Sequence, residues 1–332
     1  MKTQRGAAIL TAMLTVVLVA SLASATLWQQ WRGVEVEAAQ RTRTQSAWIL
    51  IGALDWARLI LREDGRKGGA DHLAEPWAVP LEAARLSSFL AADRSDTLLA
   101  DAAQEAFLSG QITDLQSRLN IANLVQSGKV DAASELAFSR LFELLDLPET
   151  ELILLLDKLR LAQPAPAGAP GGAPGGAPVA PVTESEAASA ALWPQTLDQL
   201  AWLGLSPRSI AVLRPFVTIL PVRTPVNLNT APAEVIYACV EGFELADAHR
   251  LVQARNATHL ATLNDAAKIS GKTSVQFNAA LHSVSSRFFE VRGNLRIEQA
   301  TVQELSVVQR DGLEVKTLLR QRAVASAMPP LQ

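Results

Sequence analysis

Residues 7–28 carry no charged side chain, and this run constrains the fold more than any other feature of the chain. At about 1.5 Å of rise per residue, one helix over it spans a hydrocarbon core of roughly 30 Å. Lys2 and Arg5 precede the run and hold the N-terminus in the cytoplasm, so the residues beyond Trp28 are expected on the far side of the membrane.

Two cuts compete for this segment. Ala23-Ser24-Ala25 fits the small-x-small rule of signal peptidase, which would release a chain starting at Thr26. Alternatively, Arg5-Gly6-Ala7-Ala8-Ile9-Leu10 resembles the cleavage region of type IV prepilins and pseudopilins. That resemblance implies a prepilin peptidase cut after Gly6, N-methylation of Ala7 and retention of the apolar helix in the inner membrane. Most pilins carry Glu at the fifth mature position, which here is Thr11. A charge in low dielectric needs a partner, so a subunit lacking this Glu is ill suited to lie beneath another and suited to a filament tip. The missing Glu resembles the minor pseudopilin K family of the type II secretion system.

The 332 residues leave room for two soluble units beyond a first helix of some sixty residues. A net charge of −3 does not favour nucleic acid or an acidic membrane surface as partner. Cys239 is the single cysteine, so no internal disulfide can form. From 31 to 66, Val34, Trp48, Ile51, Leu54 and Leu61 alternate with charges at helical spacing, Gly33 and Gly52 being tolerated irregularities. The stretch 47–57 resembles the place where the stalk helix of the K family enters its head.

Between 105 and 125, short apolar runs separated by Gly110 predict two strands. Asp114-Leu115-Gln116-Ser117-Arg118-Leu119-Asn120-Ile121-Ala122-Asn123 resembles a strand segment of the same family, with Asn120 and Asn123 expected in turn-forming or capping roles. Residues 131–161 predict a helical pair, the second helix opening at Pro148-Glu149. The Pro/Ala/Gly tract 164–181 has too little apolar surface to order itself and is expected as a linker. At this place the K family has an Asp-rich loop suited to calcium, and the resemblance therefore implies Ca2+. Here the corresponding stretch, Leu156-Asp157-Lys158-Leu159-Arg160-Leu161, has one carboxylate and two cations, which argues against the ion. The nearest candidate ligands are Asp157, Glu184 and Glu186, for which the simpler reading is solvated acids beside a linker.

In Val226-Asn227-Leu228-Asn229-Thr230-Ala231-Pro232-Ala233-Glu234, Asn229 or Thr230 is expected to cap a helix that ends near Gly242. A second helix is expected over 245–255, with a helical partner within 262–281. The segment resembles both the K family and the helix-hairpin-helix modules that bind DNA. The hairpin Val240-Glu241-Gly242-Phe243-Glu244-Leu245 presents two carboxylates where a phosphate would approach, which speaks for packing and against nucleic acid. Beyond 285 the period becomes two, with turns expected at Gly293-Asn294 and Asp311-Gly312. Ser285-Ser286-Arg287-Phe288-Phe289 resembles the family's closing motif.

Enzymatic readings find no scaffold. His72, His249, His259 and His282 show no metal-protease spacing. Ser270-Gly271-Lys272-Thr273 lacks the upstream glycine of a phosphate loop, position 266 being Ala266. The reading is a non-enzymatic α+β chain: a pilin-like long helix plus a small antiparallel sheet, with a large all-α insert of SAM-like or helix-hairpin-helix-like character. Its expected parts are a leader 1–6, membrane helix 7–28, stalk 29–66, head 67–130, insert 131–282 with linker 163–190, closing strands 283–324 and tail 325–332. The resemblance implies a minor pseudopilin, its bulk in the periplasm, whose partners are the I-type and J-type minor pseudopilins. The alternative from another class is an exported DNA-binding protein with a cleaved signal peptide.

Overall fold

The computed structural model describes residues 5–86, 106–162, 192–272, 275–297 and 300–324. The linker tract 164–181, Glu184, Glu186, Thr273 and the tail 325–332 lie outside the described residues. Helix α1 runs unbroken over Arg5–Lys67, 63 residues and so about 95 Å long. Gly33 and Gly52 do not interrupt it, and both are exposed. Leu50, Leu54, Ala57 and Leu61 recur at spacings of three and four and are buried, so the last third of α1 has one face committed to packing.

That face lies on a five-stranded antiparallel sheet of β1 (Leu81–Arg85), β2 (Ala106–Asp114), β3 (Phe288–Ile297), β4 (Ala300–Asp311) and β5 (Glu314–Val324). The strands lie in that same order across the sheet, and each neighbouring pair is antiparallel. Ile112, Phe289, Val291, Val308 and Val315 pack with Leu54, Ala57, Leu61 and Trp77 at one end of the helix–sheet interface. Leu50 packs with Leu86, Ala106, Leu108 and Leu295 at the other.

Two expected breaks are absent. Gly110 does not divide β2, and Gly293-Asn294 does not turn the chain; β2 and β3 run through with Gly110 directly opposite Gly293. Interior glycines weaken a strand unless something must come close. Here it does: a Cβ on Gly293 would sit 3.3 Å from Leu50 Cδ2, and one on Gly110 would sit 3.1 Å from the Arg292 carbonyl. Gly293 makes room for Leu50 of α1, and Gly110 lets β2 lie close against the β3 backbone. The turn at Gly312, with φ at +59°, does fall where Asp311-Gly312 predicts it.

Between β2 and β3 the chain builds a helical region. It contains α2 (Ala132–Leu144), α3 (Glu149–Leu161), α4 (Pro207–Leu213), α5 (Ala233–Cys239), α6 (Leu245–Ala257) and α7 (Leu263–Ser270). Its core joins Phe138, Leu141, Leu155, Leu200, Ile236 and Leu251. Asp131 caps α2 by accepting from the Ser134 amide at 3.0 Å. Further corrections concern the later helices. α5 starts after Pro232, so neither Asn229 nor Thr230 is its cap, and it ends at Cys239, short of Gly242. The partner segment is helical only over Leu263–Ser270, because Gly271 takes a φ of +63° and ends it.

Candidate functional site: an anchor helix and the joint that fixes it to the head

The first part of α1 makes no use of the rest of the molecule. Its most apolar 18-residue window has a mean hydropathy of 2.2 and is fully exposed, which is compatible with a single-pass membrane anchor. The hydroxyls within it turn back on the helix. Thr11 donates to the Ala8 carbonyl at 3.0 Å, Thr15 to Ala12 at 2.8 Å and Ser24 to Ala20 at 2.8 Å. Such bonds satisfy these hydroxyls without help from lipid. Gly6 and Ala7 lie at the start of α1, inside its first turn.

Beyond residue 28, exposed apolar side chains recur along α1 among charged ones such as Arg41 and Glu63. Trp31, Val34, Trp48, Trp56 and Leu59 are between 44% and 69% exposed. Trp31–Val34 and Trp56–Leu59 stand three apart, while the heptad position between Val34 and Trp48 is the exposed Arg41, paired with Glu37.

At its C-terminal end α1 is fixed by a buried polar joint. Asp114, at the end of β2, accepts from Asn227 Nδ2 at 3.0 Å, Thr230 Oγ1 at 2.6 Å, Ser286 Oγ at 2.6 Å and the Gln116 amide at 2.7 Å. Asn227 Nδ2 also donates to the Asp71 carbonyl at 3.2 Å. Asp71 in turn accepts from the Ser286 amide at 2.6 Å and from Arg310. Arg310 reaches Asp64 of α1 at 2.6 Å, so one connected set of bonds runs from α1 through the sheet into the helical region. Burial pushes Asp114 above the usual carboxylate range against the pull of its four donors. Burial also raises Asp71 to about 6, although Arg310 opposes it.

The segment 226–234 owes its composition to this joint. Asn229 pairs with the Leu260 backbone, donating to its carbonyl at 2.9 Å and accepting from its amide at 2.8 Å. Asn227 Oδ1 accepts from the Asn229 amide at 3.0 Å, which shapes the turn between them. Asn120 and Asn123 hold the neighbouring loop as expected. Asn120 accepts from the Leu220 amide at 3.1 Å, and Asn123 both accepts from and donates to the Thr224 backbone, at 3.0 and 2.8 Å.

The hairpin 240–245 faces the protein's own cation. Arg140 donates to the carbonyls of Val240 at 2.7 Å and Phe243 at 2.6 Å. Lys272 pairs with Asp247 of α6 instead of standing free for phosphate. Cys239 is half-buried, and burial pushes its thiol up to about 12, a packing cysteine and no nucleophile.

Of the three expected calcium candidates only Asp157 is among the described residues. Asp157 is exposed on α3 and pairs with Arg160 at 3.2 Å, while Glu184 and Glu186 lie outside the described residues. The described carboxylates that do converge are Asp64, Asp71 and Glu75, with ligand atoms within 4.8 Å of one another. Arg310 already neutralises the first two, so a cation there would have to displace a guanidinium. Sequence reading misses Asp64, Asp71, Ser286 and Arg310. Their one signal is the polar Ser285-Ser286-Arg287 immediately before the apolar Phe288-Phe289.

Two family models described as "Type II secretion system (T2SS), protein K" match residues 117–222 and 226–285, together half of the chain. The type II secretion system protein K of Pseudomonas aeruginosa is 28% identical over 327 residues, covering 96% of this chain and 89% of its own length. Among solved structures, the GspK-GspI-GspJ complex of the enterotoxigenic Escherichia coli type 2 secretion system contains a chain of the same fold. The superposition has a TM-score of 0.64 at 18% identity and covers 86% of this chain and 99% of that one.

Proposed function

The chain belongs to the type II secretion system protein K family, the minor pseudopilins of that system, and from this premise we propose that it caps the tip of a periplasmic pseudopilus. Prepilin peptidase cuts between Gly6 and Ala7, Ala7 is methylated, and α1 stays in the inner membrane until the subunit enters the filament. The bulk of the chain, from residue 29 on, is periplasmic. The role is mechanical and involves no catalysis.

The observation that carries this reading is the division of α1. One helix is bare and apolar at its start, and its last third is bolted to the sheet through Asp64, Arg310 and Asp114. A pull on the helix therefore reaches the head without a hinge. Thr11 in place of an acid removes the carboxylate that a subunit above would neutralise, which suits a position with no subunit above. The helical region adds bulk to the head that a tightly wound fibre would not bury, and its α5–α6 hairpin is read as a helix-hairpin-helix-like packing module. The Escherichia coli relative is seen in complex with GspI and GspJ, and the partners proposed here are the corresponding I-type and J-type pseudopilins.

Co-purification tests this. The full-length chain, extracted from membranes that also contain its I-type and J-type counterparts, should carry both through a tag on the chain. Recovery of neither, with the chain correctly processed, would overturn the tip assignment.

A further inference from the structure

The uncharged run of α1 ends in a small group of amphipathic side chains. Trp28 and Trp31 are 60% and 56% exposed, with ring centroids 5.3 Å apart and planes tilted by 41°. Neither indole N–H has a protein acceptor among the described residues. Arg32 follows, exposed, and its side chain makes no hydrogen bond or ion pair among the described residues. Residues three and four apart share a helix face, so both rings and the guanidinium stand on one side of α1.

Depth along the helix decides what this face meets. At about 1.5 Å of rise per residue, residues 7–28 cover about 32 Å, the thickness of a hydrocarbon core of roughly 30 Å. A bilayer is about 40–45 Å thick with its headgroups, which leaves a polar layer of about 5–8 Å on each side. Trp31 and Arg32 stand about 5 and 6 Å beyond Trp28, inside that layer. Indole rings favour this boundary, because an apolar body with one N–H suits lipid on one side and water on the other.

We propose that Trp28, Trp31 and Arg32 form a phospholipid headgroup site that fixes how deep α1 sits in the bilayer. The indole N–H groups donate to ester and phosphate oxygens, and the Arg32 guanidinium pairs with a phosphate. A neighbouring helix could cover the rings, but it would have to bring an anion to Arg32 at a depth where the bilayer already holds its phosphates. The site deepens the anchor reading and rests on it. It also sets the height of the head. Ser46, 2% exposed, is the first buried residue of α1 among those described, and from Arg32 to Ser46 the helix runs about 21 Å, mostly exposed.

The test uses the full-length chain in phosphatidylcholine nanodiscs, with isotope-labelled tryptophan and leucine, and a nitroxide carried either on the lipid headgroup or at the end of an acyl chain. Trp28→Phe and Trp31→Phe assign the two indole N–H signals. The headgroup nitroxide should broaden both signals more than the chain-end nitroxide does, and the methyls of Leu18, in the middle of the uncharged run, should show the reverse. Trp48, about 25 Å beyond Trp31, should be reached by neither. In the same bilayers with labelled arginine, dephasing of guanidinium nitrogens by lipid phosphorus should weaken in Arg32→Gln. Rings broadened more by the chain-end nitroxide, or by neither, would overturn the proposal, as would phosphorus dephasing unchanged by Arg32→Gln. Leu18 methyls beyond reach of the chain-end nitroxide would sink the anchor reading itself, and the site with it.

Discussion

Thr230 donates its hydroxyl to the Asp114 carboxylate over 2.6 Å, tying the helical region to the last residue of β2. Asn227 reaches the same oxygen from three residues earlier. Two side chains of one short segment thus anchor a domain-sized region on one buried acid.

Asn227→Ala therefore removes more than one bond. It strips a donor from Asp114, the cross-link to the Asp71 carbonyl and the acceptor of the Asn229 amide. A loss of about 2–4 kcal/mol is expected, since several buried groups are left unpaired. Urea unfolding should show a lower midpoint at unchanged slope. Thr230→Val, which removes a donor to Asp114 but leaves Asn227 in place, should lose less.

The acids around the joint set a pH dependence. Burial raises Asp71 to about 6 and Glu75 to about 7, from ordinary values near 4. Glu75 nonetheless accepts from Trp77 Nε1 at 2.7 Å. A carboxyl with a raised folded pKa binds more protons folded than unfolded between the two values, so stability falls as pH rises through that window. The contribution from these two groups should be complete below about pH 4 and lost as pH rises through about 6 for Asp71 and about 7 for Glu75. Thermal melts should show Glu75→Gln flattening the upper part of that slope. Asp71→Asn breaks the Arg310 pair and should destabilise across the whole range.

Gly110 and Gly293 face each other but should not tolerate substitution equally. A Cβ on Gly110 meets the Arg292 backbone carbonyl at 3.1 Å, whereas one on Gly293 meets the end of the Leu50 side chain, which can turn aside. Gly110→Ala is expected to cost about 1–3 kcal/mol and Gly293→Ala less, as calorimetry can compare. A larger loss at Gly293 would mean that Leu50 cannot move.

Cys239 should resist thiol reagents while the chain is folded. Its thiol is pushed to about 12 by burial and points toward the Ile236 carbonyl at 3.6 Å. Maleimide labelling at pH 7.5 should be slow in buffer and rapid in urea.

Much of this architecture is legible in the sequence wherever a single periodicity decides. The apolar run 7–28 marks the exposed first part of α1, Leu54 and Leu61 of the helical pattern 31–66 do turn to the sheet while Trp48 stays exposed, and the alternation beyond 285 gives β4 and β5. What is not legible depends on contacts distant in sequence. Gly110 and Gly293 look like breaks because nothing local reveals that they face each other or that Leu50 packs over Gly293. Asn229 and Thr230 have the composition of helix caps, yet Leu260 and Asp114 claim their side chains first. Arg310 and Asp64 stand 246 positions apart, and no local pattern announces their pairing.

The central claim is that α1 is retained whole after a cut beside Gly6, and the mass and sequence of the mature N-terminus test it most directly. Chain purified from membranes should begin at N-methylated Ala7. A chain beginning at Thr26 would contradict the account, because the apolar first part of α1 would then be gone and only its stalk would remain on the head.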